Sequence, residues 1–451
     1  VNTGARFFED KGAVLIFTTR FLPGTRLATY FAAGMLRAPF WRFAGWFALA
    51  AAAWTPMLVG LSWLLGGRML DYFERYDRFV FVGVIGAVLM LWLLFHLVVP
   101  AFSHRGRRML LGRWRRLTRW EFWPMWAFYP PVVAYVLYLG VRHRSLTLFT
   151  ASNPGIPAGG VVLESKRGIL DAFHGHPSIA RYAVLEPDKE GATLVKQLDA
   201  FMAANAFTFP IVLKSDIGER GAGVRIVRSP SEASAYLEQS REAVIAQVYV
   251  PGREFGVFYY RHPDEDQGHI LSVTDKRLIS VTGDGERTLE QLILDDERAV
   301  CMATFFFEQL GDAIATVPPS GHVVYLTEVG THCRGALFLD GGHLITEDLR
   351  SAIDDLSQCF EGFYFGRYDL RVPSEEDLKR GKNVQILELN GVTSEATSIY
   401  DPQHSLWHGY RTLFRQWKIA FEIGRQNRDR GVEPVSLRSL TKLFFEFKHR
   451  R

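Results

Sequence analysis

The chain has 451 residues, 22% of them charged and 14% aromatic, with a formal net charge of +4. Its three cysteines, Cys301, Cys333 and Cys359, form no C-x-x-C pair, which argues against a disulfide framework or a structural zinc site and fits a reducing compartment. The charge is unevenly spread: residues 1–150 carry 18 Lys/Arg against 6 Asp/Glu, leaving 34 against 42 in the remainder. A basic, apolar front part and an acidic back part point to a membrane-facing segment joined to a water-facing one.

The first nineteen residues lack the basic, apolar, small-residue order of a signal peptide. This abrupt start reads as the middle of a larger domain. Arg20-Phe-Leu-Pro-Gly-Thr-Arg26 then sets two arginines among apolar residues, where charge is costly and usually marks function. Phe43–Gly67 and Phe79–Phe102 contain no Asp, Glu, Lys or Arg. Each exceeds the roughly 20 apolar residues that cross a bilayer core, so both are predicted membrane helices.

Seven arginines follow between His104 and Arg119: 105, 107, 108, 113, 115, 116 and 119. The positive-inside rule puts them in the cytoplasm, and they could also hold anionic headgroups. Their place beside a span does not suit nucleic-acid binding. Phe122–Gly140 is apolar and long enough to span, but arginines flank it and Pro130-Pro131 sit at its centre. It reads as a re-entrant or interfacial hairpin, with Trp120, Trp123 and Trp126 at an interface.

From Ser145 the pattern becomes that of an α+β fold with much antiparallel sheet. Ser145–Thr150 is a short β-like run, and strands are expected at residues 210–214, 223–227, 244–250, 255–260, 270–274 and 384–389. Helices are expected at 193–204, 231–240, 289–310 and 344–359. In Phe209–Val224 a strand ends in Lys214, and a loop with Gly218, Gly221 and Gly223 follows. Glycines let backbone N–H groups approach phosphate oxygens and the lysine adds a point charge, although the G-K-[ST] of a Walker loop is missing. Farther on come Gly366-Arg-Tyr-Asp-Leu-Arg371 and Ile386-Leu-Glu-Leu-Asn-Gly391. Residues two apart on a strand share a face, so Glu388 and Asn390 project together, and Asp369 could join them from a neighbouring strand. Two carboxylates and an amide oxygen suit Mg²⁺.

The order of these signals over residues 145–430 resembles the ATP-grasp superfamily, and within it the D-alanine–D-alanine ligase-like carboxylate–amine ligases. That resemblance implies an ATP-grasp fold with pre-grasp, small lid and large central subdomains. It implies ATP and two Mg²⁺ or Mn²⁺ ions as cofactors. Lys166, Lys214, Gly218, Gly221 and Gly223 would face phosphate, with Lys276 a further contact. Gln247, Tyr249 and Val250 lie in the hinge that would meet adenine, and Glu254 would hold ribose. Asp369, Glu388 and Asn390 would be metal ligands, and Arg367 would face the reacting carbonyl. His332 and Arg334 could bind the acceptor. His174 and His176 read as surface or core residues. The Asn153–Lys166 segment and the Asn390–Glu395 tail differ from true D-alanine ligases, which leaves the substrates open.

The Arg20–Arg26 motif, with Gly34, Phe40 and Trp54, resembles the DedA or SNARE-associated (VTT) membrane family over roughly residues 5–100. Arg20 and Arg26 would then match its functional arginines, in an all-α membrane domain at residues 1–103. The rest divides into a basic linker and hairpin at 104–144, the ligase at 145–430 and a basic tail at 431–451. The expected protein is a multi-pass bacterial inner-membrane ligase, its ligase domain in the cytoplasm. It would join small-molecule or lipid-linked carboxylate and amine substrates and bind no nucleic acid. A DedA-like transporter with a nucleotide-sensing domain and an ATP-grasp kinase are the competing readings.

Overall fold

A computed structural model describes residues 40–75, 77–162, 164–187, 193–217, 223–328, 330 and 335–450. The DedA-like motif, with Arg20 and Arg26, lies outside the described residues. The chain divides into two compact units, Val1–Val99 and Pro100–Arg451.

In the first unit, α1 (Phe40–Arg75) is followed by α2 (Asp77–Leu93), which runs into a π-helical turn, Leu94–Val98. Phe43–Gly60 and Gly83–Ala101 are long and apolar enough to cross a membrane. Trp46, Val88, Met90 and Trp92 are exposed.

The second unit begins with α3 (His104–Thr118), α4 (Pro130–Arg142) and α5 (Lys166–Asp171). Then come β1 (Tyr182–Leu185), α6 (Leu194–Ala204), β2 (Ile211–Ser215), β3 (Arg225–Val227), α7 (Pro230–Glu238) and β4 (Val244–Val248). These strands form an antiparallel sheet ordered β1-β4-β2-β3. Ile211, Leu213, Val244 and Ala246 point to one side and bury Leu198, Ala233 and Leu237 of α6 and α7.

β5 (Arg253–Tyr260), β6 (His269–Arg277) and β7 (Ser280–Thr282) lead to α8 (Leu289–Asp295), α9 (Ala303–Leu310), β8 (Val323–Tyr325) and β9 (Leu337–Asp340). The chain continues through α10 (Glu347–Gln358), β10 (Phe365–Val372), α11 (Glu375–Lys379), β11 (Gln385–Asn390), α12 (Leu406–Asp429) and α13 (Leu437–Arg450). The second sheet is ordered β11-β10-β5-β6-β9. Its alternating Phe255, Val257, Tyr259, Tyr368, Leu370 and Val372 pack on Leu349, Ile353 and Leu356 of α10. The opposite face carries the buried Phe258 and Phe365 at one end, packed on Ile419 and Phe421 of α12, and polar side chains along the rest.

Three expectations need correction. Ser145–Thr150 is not a strand: Leu148–Ser152 form a buried 3₁₀ turn, held by Asn427, which donates to the Ala151 carbonyl (2.9 Å). The single helix expected at 289–310 breaks after α8, where the Asp296 carboxylate accepts from the N–H groups of Arg298 (2.9 Å) and Ala299 (2.6 Å). A short acidic side chain thus competes with the helix for backbone donors.

The third correction concerns the basic linker and the C-terminal tail: residues 104–144 and 431–450 are built into the second unit. Gly112 sits under the Val300 carbonyl, where an added Cβ would lie 2.4 Å from the oxygen. Arg105 pairs with Glu290 (3.1 Å), Arg108 donates to the carbonyls of Leu294 and Asp295 (2.7 Å each), and Arg115 donates to that of Glu297 (2.9 Å). Pro130 and Pro131 open α4, where a missing N–H costs nothing, instead of interrupting it. With 13 residues, α4 is about 20 Å long at 1.5 Å per residue. Its inner side packs Tyr135 on Phe414 of α12 at 4.5 Å. Leu440 of α13 joins the same core.

The buried Glu121 accepts from Arg298 Nη1 through both oxygens, at 3.1 Å each. Removing one partner leaves an uncompensated buried charge. Glu121→Ala should therefore destabilise the second unit by about 3–5 kcal/mol, read as a shift of its urea transition in detergent. No shift would mean that the segment is only loosely attached.

Candidate active site

Arg367, Asp369 and Arg371 share one face of β10. Cross-strand register sets Asn390 opposite Arg367, Glu388 opposite Asp369 and Glu254 opposite Arg371. Lys276 lies opposite Glu254 on the next strand. The polar face thus carries Glu388 and Asn390, then Arg367, Asp369 and Arg371, then Glu254, then Lys276.

These charges neutralise one another. Asp369 receives Arg367 at 2.9 and 3.2 Å and Lys276 at 2.9 Å. Glu254 receives Arg371 at 3.0 Å and Lys276 at 3.4 Å. Burial alone would raise the Asp369 pKa, but Arg367 and Lys276 outweigh it and hold the carboxyl down to about 2. Burial likewise opposes the Arg367 charge, and Asp369 more than restores it. Gly256 makes the cluster possible: a Cβ there would lie 3.3 Å from Arg367 Cδ and 3.4 Å from Lys276 Cε.

Lys214 reaches this face from the other sheet. On β2 it points away from α6 and α7, with its ammonium donating to Gln247 Oε1 (2.8 Å) and to the Leu387 carbonyl (3.0 Å). A register shift in β11 supplies that carbonyl: Asp369 faces Glu388 but Leu370 faces Ile386, which leaves Leu387 bulged. Burial is the first cause that lowers the Lys214 pKa, to about 8, with Lys166 adding to it against Glu388 and Asp369. Lys166 opens α5 and lies 3.8 Å from Glu388. Asp216, two residues after Lys214, accepts from Ser165 Oγ (2.9 Å) and the Arg167 N–H (2.8 Å), tying the lysine strand to that helix.

Lys166, Lys214, Gln247, Glu254, Lys276, Arg367, Asp369, Glu388 and Asn390 therefore converge. Tyr249 stacks under Arg371, whose guanidinium centre is 5.3 Å from its ring, and the Val250 carbonyl accepts from Arg371 Nη1 (2.8 Å). Gly223 has a φ of +73°, in the left-handed region that favours glycine. Gly218, Gly221, His332 and Arg334 lie outside the described residues. Gly330 is described, and a Cβ there would meet Glu254 at 3.2 Å.

The donor set fits a hard divalent cation. Glu388, Asp369 and Asn390 share one face, which offers two carboxylates and an amide oxygen. Among the described residues there is no group of three or more His, Cys, Asp and Glu side chains able to hold a metal.

Sequence reasoning overlooked Glu395. Its carbonyl accepts from Arg367 Nη1 (3.1 Å), its Oε2 accepts from Tyr400 (3.1 Å), and its Oε1 is buried without a partner. Burial pushes its pKa up to about 7, against a smaller lowering by Tyr400. The signal was present in the divergent 390–395 tail, but nothing local marks a glutamate there as buried.

No family model and no curated protein matches the sequence. Solved structures similar to it include the bifunctional glutathione synthetase from Pasteurella multocida, 16% identical, with a TM-score of 0.31 over 55% of this chain. The match covers 36% of that synthetase's length. The D-alanine–D-alanine ligase from Bacillus anthracis is 13% identical, with a TM-score of 0.36 over 59% of this chain and 69% of its own. The D-cycloserine synthetase DcsG is 15% identical, with a TM-score of 0.34 over 58% and 73%. The reading of the site rests on its own geometry.

A carboxyl whose pKa is raised on folding contributes stability below its unfolded pKa and loses it as pH rises through the folded value. For Glu395 that window runs from the ordinary 4.5 to about 7. Glu395→Gln should gain thermal stability relative to the native chain between pH 5 and pH 8, and parallel melting profiles would contradict this assignment. Lys214, poised near pH 8, should take up protons when an anion binds beside it. Calorimetry at pH 8 in buffers of different ionisation enthalpy should show an uptake of about half a proton on nucleotide binding, lost in Lys214→Met.

Proposed function

We propose that the chain is a membrane-associated, ATP-dependent carboxylate–amine ligase of the ATP-grasp type. The observation that carries this reading is the meeting of Lys166 and Lys214 with the Glu388/Asp369/Asn390 face beside Arg367. Two buried cations next to a hard-cation donor set form a site for a metal–polyphosphate. The names of the similar structures point the same way. The second unit supplies the nucleotide and substrate cleft, and the two apolar helices of the first unit hold the protein in the bilayer.

In this reading a substrate carboxylate oxygen attacks the γ-phosphorus of ATP, the bond to the β-phosphate oxygen breaks, and ADP and an acylphosphate form. A free amine then attacks the acyl carbon, inorganic phosphate departs, and the amine loses a proton. Lys166 and Lys214 neutralise phosphate charge, which matters more in phosphoryl transfer than covalent help. Glu388, Asp369 and Asn390 would hold Mg²⁺, which supplies Lewis-acid neutralisation of the phosphates when bound. Arg367, fixed by Asp369 and the Glu395 carbonyl, faces the oxyanion that forms when the amine adds. Lys276 and Arg371 keep Glu254 ionised and oriented for a ribose hydroxyl. Glu395 changes protonation near neutral pH beside Arg367, which suits it to the amine's proton.

ATP turnover should require Mg²⁺ or Mn²⁺ and a carboxylate substrate. Lys214→Met should remain folded and lose about 10²–10³-fold in turnover, and Glu388→Gln should lose turnover while keeping its melting profile. The measurement is phosphate release by the purified chain with pooled carboxylates and amines, with and without EDTA. Full activity in EDTA, or native turnover in a folded Lys214→Met protein, would refute the reading.

A further inference from the structure

The arginine-rich helix α3 has two sides with different work. Arg108 and Arg115 turn inward to the 290–297 segment, and the exposed Arg105 pairs with Glu290 beside them. Arg113 and Arg116 are exposed, and between and beside them stand Trp114, 64% exposed, and Leu117, 69% exposed. Two more tryptophans stand out from neighbouring elements: Trp126, 79% exposed, in the helical turn Met125–Phe128, and Trp407, 75% exposed, at the start of α12. Tryptophan is normally well buried, so three such exposed rings on one unit are a feature to explain.

These elements are held together. Trp123 donates its indole N–H to the Leu117 carbonyl (2.8 Å), fixing the end of α3 to the segment that carries Trp126. Trp120 donates to the His404 carbonyl (3.0 Å) and lies against Gly409, where a Cβ would meet its ring at 3.0 Å, fixing both to α12. Charge is sorted as well. Between Arg78 and Leu163 the sequence contains one acidic residue, Glu121, and it is buried against Arg298. The exposed face of this stretch therefore carries arginine and aromatic side chains and no carboxylate.

We propose that this tryptophan–arginine strip on α3, the Met125–Phe128 turn and the start of α12 is a docking surface for an anionic lipid bilayer. Indole rings favour the headgroup boundary, and arginines beside them pair with lipid phosphates. Chain reach supports a bilayer over another partner: Ala101 ends the apolar Gly83–Ala101 stretch and α3 begins at His104. Three residues span at most about 11 Å, so α3 starts within reach of the surface at which that stretch emerges. The inference rests on the membrane reading given under Proposed function. It adds that the second unit lies on the bilayer by this face, which brings its cleft to substrates at the membrane surface.

The test uses the full chain, reconstituted in vesicles of phosphatidylcholine with and without phosphatidylglycerol. Cys301→Ala and Cys333→Ser remove two native thiols, and the exposed Cys359 is labelled with bimane as the water-facing control. Trp114→Cys, Trp126→Cys, Trp407→Cys and Val88→Cys, each with Cys359→Ser, carry the probe elsewhere. The expected result is several-fold stronger quenching by brominated lipid at positions 114, 126 and 407 than at 359, increasing with phosphatidylglycerol, and strong quenching at 88 in both lipids. Quenching at 88 but not at the strip would overturn the docking surface alone. No quenching at 88 would overturn the membrane reading itself. Strip probes shielded from both iodide and brominated lipid would mean a protein covers the face, and would also overturn the proposal.

Discussion

The second unit depends on neutralising charge away from water. Glu254, Lys276, Arg367, Asp369 and Arg371 occupy one face of a sheet whose other face is the main hydrophobic core. An ion left alone in such a place costs several kcal/mol. Each of the five is bonded to an opposite charge, and Asp369, Glu254 and Lys276 each serve two partners. Ion pairs of this kind contribute little net stability, because desolvation offsets attraction. They do restrict structure: a one-residue slip of β10 would carry Asp369 and Arg367 into the core and bring Tyr368 and Leu370 out.

Lys214 carries that constraint from one sheet to the other. Its ammonium crosses to the carbonyl that the bulge at Leu387 withdraws from the β10–β11 ladder. The lysine is held by hydrogen bonds yet its pKa is depressed, so the protein keeps a cation where burial disfavours it. Strain of this sort is retained where an anionic ligand relieves it. Glu395 shows the complementary case, a carboxyl that burial keeps near its neutral form beside a fully ionised arginine. Opposite shifts in neighbouring groups separate the residue that holds charge from the one that exchanges a proton.

The basic segment after the apolar helices belongs to this unit and divides its arginines between two tasks. Those turned inward fasten α3 to the segment after α8, and the buried Glu121–Arg298 pair locks the join. A chain of contacts then leads toward the site: Trp120 packs on Tyr400 at 5.8 Å, Tyr400 donates to Glu395, and the Glu395 carbonyl accepts from Arg367. The segment around Glu395 therefore joins the charged face of the second sheet to the tryptophan-bearing surface.

Much of this was legible in the residues alone. The strands around Lys214, Glu254, Asp369 and Glu388 announce themselves by alternation, and Glu388 and Asn390 share a face because strand side chains alternate with a period of two. The apolar helices follow from runs without charge. Local pattern did not foretell the buried turn at 148–152, where packing against α12 overrides an alternating sequence. Nor did it foretell the break after α8, the short α4, or the place of Glu395. Periodicity and composition report what a segment prefers by itself. Which carbonyl a bulge releases, which arginine turns inward and which carboxyl loses its water depend on partners distant in the chain. Only the tertiary structure brings those partners into contact.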